Sequence, residues 1–108
     1  MARFLVLWRE NPNVRAPEDP SKAVKLYEMF FAAIDEGIKK GLVEDFGFFP
    51  DGTTGYAIGK GEAADLFRST NMFQPYILFE VCQEIIPYEK GKGIMRALMK
   101  DMIAATKK

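Results

Sequence analysis

Twenty residues near the middle of the chain, GLVEDFGFFPDGTTGYAIGK from Gly41 to Lys60, constrain the fold most, because they spell two strands and the turn between them. Pro50 pre-sets its backbone angle, Asp51 suits the next turn position and Gly52 accepts a left-handed conformation, so Phe49 to Thr53 reads as a tight hairpin. A three-residue loop pairs Phe49 with Thr53, and counting outward sets Phe48 opposite Thr54, Phe46 opposite Tyr56 and Glu44 opposite Ile58. One face of this ribbon is then aromatic and bulky. The other carries Val43, Asp45, Gly47 and Phe49 against Thr53, Gly55, Ala57 and Gly59, so its middle is nearly bare of side chains.

The flanking segments supply the partners for that ribbon. Arg3 to Arg9 is unbroken in β-branched, aromatic and aliphatic residues, the pattern of a strand covered on both faces and central in a sheet. Asn11 to Asp19 holds two prolines and reads as a loop. Asp19-Pro20 is a helix start, with aspartate as N-cap and proline where its missing donor costs nothing. From Ser21, Val24, Tyr27, Phe31, Ile34 and Ile38 recur at three- and four-residue steps, and Leu26, Phe30 and Ala33 widen the stripe. Lys39 and Lys40 suit the last turn of this long helix, and Gly41 closes it. Glu62 to about Asn71 is a short helix, Tyr76 to Cys82 a second apolar strand that can run on towards Ile86, and Gly93 to Lys107 a final helix. Isolated glycines at Gly59, Gly61, Gly91 and Gly93 read as turns and caps, since neither glycine-lysine-glycine triplet matches a phosphate-binding loop. Met95, Met99 and Met102 make a pliable packing face, one that a partner subunit could cover.

Composition narrows the function classes. A chain of 108 residues has the size of one domain, spanning 1–108. Fifteen Lys and Arg balance fifteen Asp and Glu, which leaves no net field to draw in nucleic acid or an anionic membrane. There is no histidine, so the usual neutral-pH base and the commonest metal and haem ligand are missing; no metal site and no cofactor are expected. The one cysteine, Cys82, sits in apolar sequence without nearby cations and reads as a small core residue of a reducing compartment rather than a reactive thiol. The apolar run Phe4 to Trp8 is too short for a signal-peptide core or a membrane span, and a cytoplasmic location is expected.

Strand, helix, strand, strand, helix, strand and a further helix make an α+β chain of ferredoxin-like βαββαβ type, with an antiparallel four-stranded sheet and an extra C-terminal helix. Its two inner helices can cover one sheet face only. The other face, expected to carry Phe46, Phe48, Tyr56 and Ile58, calls for a second copy of the chain packed sheet on sheet. With its opening FLVLW, its GLVEDFGFFPDGTTGYAI hairpin and its YILFEVCQEIIP strand, the chain resembles the dimeric α+β barrel superfamily, and within it the small single-domain branches. The resemblance spans Arg3 to Pro87. It implies a homodimer with a small pocket between sheet and helices, in a superfamily that includes cofactor-independent monooxygenases, isomerases, haem enzymes and ligand-sensing domains. No catalytic signature of a characterised branch is present to carry over.

The expected function is therefore a homodimeric small-molecule-binding protein, of cofactor-independent monooxygenase or isomerase type if it is an enzyme. The competing expectation is a non-enzymatic structural or regulatory interaction module. Four residues are candidates for ligand contact. Asp45, on the bare hairpin face, is a proton acceptor or polar anchor if buried, and an edge-protecting charge if not. Glu80 interrupts an apolar strand and either meets a polar ligand group or pairs across the interface or with Arg3 or Arg9. Trp8 and Tyr56 are aromatics that wall a cavity or simply fill a core. The bare face itself admits close helix packing, bulges or room for a ligand.

Overall fold

The computed structural model describes residues 2–15 and 17–107; Ala16, within the expected loop after the first strand, lies outside them. Its elements are β1 (Ala2–Glu10), α1 (Pro20–Lys39), β2 (Val43–Phe48), β3 (Thr54–Gly61), α2 (Ala63–Asn71), β4 (Ile77–Glu84) and α3 (Tyr88–Thr106). The strands form one antiparallel sheet in the order β2-β3-β1-β4. β1 is central, as its unbroken apolar run requires. α1 starts where expected, with the Asp19 carboxylate accepting from Ser21 N at 2.9 Å and Pro20 opening the first turn, and Gly41 follows its end at φ 76°.

The hairpin register differs from the expected one by a single residue. Phe48 faces Gly55, Gly47 faces Tyr56, Phe46 faces Ala57 and Asp45 faces Ile58. The cause lies in the loop. One Asp51 carboxylate oxygen accepts from Thr53 N at 2.8 Å and Thr54 N at 3.0 Å, and Phe49 N bonds Thr54 O at 2.8 Å, so the loop has four residues rather than three. Because strand side chains alternate, that slip exchanges faces. Phe46 and Phe48 join Gly55, Ala57 and Gly59 on the side covered by α1 and α2, and Asp45 and Gly47 join Tyr56 and Ile58 on the open side.

The covered side has a compact aromatic corner. Trp8 of β1 stacks on Phe46 at 5.6 Å between ring centroids and meets Phe48 edge-on at 5.6 Å. Its indole lies on Gly55, where a methyl group would collide with the ring and with the Gly47 carbonyl. On the open side Tyr56 lies over Gly47 in the same way, and Leu5, Leu7, Ile58 and Val81 are only half-buried.

Beyond this corner the chain does not close on itself. Val6 and Trp8 are the buried apolar residues among those described. The accessible surface is 8166 Å², about 2,000 Å² more than the roughly 6,100 Å² of a compact chain of 12.2 kDa. The radius of gyration is 19.2 Å, against about 13 Å for a compact chain of this length. α3 accounts for much of the excess: it makes no substantial packing on another element, has no buried residue, and stretches the molecule to 72 × 29 × 24 Å. It also starts five residues earlier than expected, so Gly91 and Gly93 lie inside a helix rather than capping one. Cys82 is exposed on edge strand β4, not in a core. No described helix is long and apolar enough to cross a membrane.

Candidate functional site

Residues of both inner helices and the covered sheet face line a half-open cavity of about 110 Å³. Its floor is Ala57 and Gly59 of β3 beside Phe4 and Val6 of β1, and its roof is Ala33 and Gly37 of α1 with Leu66 of α2. Small residues create the space. At Gly59 an added Cβ would come no nearer than 3.8 Å to Leu66, whereas at Gly37 it would press on Val43 at 2.9 Å, so α1 is already seated tightly at that point. The expected bare hairpin face does not exist as one surface, because the register slip parts its small residues. Gly47 lies under Tyr56 on the open side, whereas on the covered side Gly55 lies under Trp8 and Ala57 and Gly59 line the cavity.

The rim of this cavity is polar but committed. Asp65 accepts from Glu62 N at 3.0 Å, which helps start α2, and faces Arg68 at 3.9 Å. Lys60 turns outward to Glu44 at 3.6 Å, and Glu44 also accepts from Arg3 at 2.9 Å. That hydrogen bond from Arg3, with the charges of Arg3 and Lys60, holds the Glu44 carboxyl below its ordinary range.

A second, smaller cavity of about 60 Å³ opens towards the Trp8 corner, between Phe31 and Ile34 of α1 and Phe46, Phe48 and Phe79 of the sheet. It is walled almost entirely by apolar groups. The Trp8 indole nitrogen, on a residue only 6% exposed, is buried without a hydrogen-bond partner. At the far end Tyr27 donates to Glu10 at 3.4 Å, and burial, reinforced by that carboxylate, pushes the Tyr27 phenol up.

The four sequence candidates do not converge. Trp8 alone lies on the helix side. Asp45 is exposed on edge strand β2 and accepts from the Tyr56 hydroxyl at 2.8 Å; this hydrogen bond is the main cause that raises the Tyr56 pKa. Glu80 is the residue left over where the β1–β4 register shifts between Leu7 and Trp8, and it forms an ion pair with Arg9. The plain reading of each acid describes it: Asp45 is an edge charge and Glu80 an ion-pair partner. They stand at opposite edges of the sheet, three strand spacings or about 14 Å apart.

Sequence reasoning missed the residues that wall the cavities, notably Phe46, Phe73, Phe79 and Leu66. The aromatic spacing was readable, but the one-residue slip put Phe46 on the wrong face. Chemically, the walls offer shape and apolar surface. Neither cavity presents a nucleophile paired with a base, and among the described residues no three His, Cys, Asp or Glu side chains gather where a metal ion could bind. Partial burial raises the Cys82 thiol, which disfavours the reactive thiolate. No protein-family model, no curated protein and no solved structure matches the chain significantly.

Proposed function

We propose that the chain is a homodimeric small-molecule-binding protein with a ferredoxin-like subunit, of the dimeric α+β barrel type that its sequence resembles. A second copy covers the open sheet face, and the ligand sits between the sheet and helices α1 and α2. The observation that carries this reading is the 110 Å³ cavity floored by Ala57 and Gly59, continued towards Trp8 by the smaller one. That volume suits a molecule of about one aromatic ring, since an apolar cavity of roughly 150 Å³ holds benzene. Trp8 walls the smaller cavity, with its indole N–H buried and unpartnered there. Cofactor-independent oxygenase or isomerase chemistry would need a proton acceptor, and the cavity's nearest acids, Glu62 and Asp65, serve the start of α2. Binding is therefore the activity these walls support best.

Gly59→Val tests it. The added Cβ makes ordinary van der Waals contact with Leu66 and the Leu42 carbonyl, at 3.8 and 3.9 Å, without a clash, and valine suits a strand, so the variant is expected to fold while narrowing the cavity; its own melting temperature checks this. Phenol and indole are expected to raise the melting temperature of the parent and to leave that of Gly59→Val unchanged. Equal shifts in both proteins, or none in either across a panel of ring-sized compounds, would remove the cavity from consideration. The second reading, an interaction module without a small ligand, is favoured by the 2,000 Å² or so of surplus surface and by α3. It predicts self-association with no ligand shift.

A further inference from the structure

We infer that α3 is an exchanged arm that lies along the outer ridge of α1 in a second copy of the chain, with the second copy's α3 returned to the first. The inference rests on the homodimer of the reading above but not on its ligand.

Two unpartnered ridges make the case. On α1, Val24, Phe31 and Ile38 recur every seven residues and are 59, 42 and 48% exposed; the row flanks the face that α1 turns to the sheet, with Phe31 at the border, one side on the smaller cavity and the other in solvent. On α3, Ile94, Leu98 and Met102 form one row and Met95, Met99 and Ile103 the next, all between 47 and 67% exposed. The helices have nearly equal length, 20 and 19 residues, and the α3 rows, about 14 Å from Ile94 to Ile103, fit within the α1 ridge, about 21 Å from Val24 to Ile38.

Charge selects the occupant. Residues 1–87 carry nine Lys and Arg against thirteen Asp and Glu, and residues 88–108 carry six against two, so the arm is positive and the body negative by the same amount. The pattern holds at the ridges. Glu28 and Asp35 border the α1 ridge, Arg96 and Lys100 border one side of the α3 rows and Asp101 the other, and none of the five has an ion-pair partner among the described residues. A second copy brings the complementary charge to both ridges at once, as a two-fold interface demands. Topology agrees: α1 leans over edge strand β2 and α3 leaves the opposite edge at β4, so pairing open faces with β4 beside the partner copy's β2 sends the arm towards α1.

The test uses the full chain and light scattering across a concentration series. Arg96→Glu with Lys100→Glu, and separately Glu28→Lys with Asp35→Lys, are each expected to weaken the dimer at least tenfold. All four changes together restore it to within about threefold. As a second measurement, Phe31→Cys and Leu98→Cys in a Cys82→Ser background are expected to give a covalent dimer on oxidation. A wild-type monomer would overturn both arm and homodimer. A dimer indifferent to every charge reversal, or an oxidised product that is cross-linked within one chain, would overturn the arm and leave a sheet-only dimer standing.

Discussion

The Trp8 corner and α3 are built from similar amounts of apolar side chain and end in opposite states. At the corner every bulky group has a small one facing it: Trp8 lies on Gly55, Phe46 stands across from Ala57, and the indole is sealed. α3 carries six large apolar residues in a coherent stripe, and no element of its own chain packs substantially against them. The open sheet face lies between these extremes, with Tyr56 over Gly47 giving it half a cover. What decides burial here is the presence of a complementary surface, not the hydrophobicity of a segment.

The change that would break this contrast most severely is Gly55→Ala. An added methyl group there meets a backbone carbonyl and the Trp8 ring, neither of which can swing away, so the expected loss is about 3 kcal/mol by urea unfolding. The loss should not depend on protein concentration, because the corner lies within one chain. A cost near that of an ordinary strand substitution would mean that the corner is loose and the contrast false.

Met102→Ser probes the other end. The side chain projects from α3 into solvent in a single chain, so its removal acts only through whatever covers α3 in an assembly. The expected loss is about 1 kcal/mol at concentrations that favour association and shrinks towards zero on dilution. A concentration-independent loss would show that α3 folds back on its own body.

How much of this was legible follows the same division. β1's unbroken run told its central place, and Asp19-Pro20 told the start of α1, because each depends on residues adjacent in sequence. The hairpin turn was recognised, yet its length was one residue short. Asp51 could serve three- or four-residue loops, and only its bonds to Thr53 and Thr54 select the longer. That single residue moved Phe46 and Phe48 from the open face to the covered one and so hid the cavity wall. Gly91 and Gly93 looked like breaks, since each disfavours a helix by about 1 kcal/mol relative to alanine. The helix persists through them, and Lys92 reaches Glu89 at 3.0 Å and lies 5.0 Å over the Tyr88 ring. The stripe on α3 was visible, but a stripe names an apolar side and not the surface that it meets.

The smallest expected effect belongs to the half-covered face, and it is readable as a pH dependence. The Tyr56 hydroxyl donates to Asp45, and that bond, then desolvation and the carboxylate's charge, raise the phenol's pKa above its ordinary value of 10.0. A raised folded pKa means that the neutral phenol is favoured in the folded state. The stabilisation is therefore complete below pH 10 and is lost as pH rises through the folded pKa, because an ionised Tyr56 would face an ionised Asp45. Tyr56→Phe keeps the ring over Gly47 and removes the proton, so it should flatten this alkaline loss while costing little at pH 7. Absorbance at 295 nm should at the same time lose one late-titrating phenolate and keep the other, Tyr27, whose pKa is raised mainly by burial. If the alkaline limb of the stability curve is unchanged in Tyr56→Phe, the hydroxyl does not hold Asp45 in solution. The cover over Gly47 would then be a ring packed without a polar anchor, which places the open face closer in kind to α3 than to the Trp8 corner.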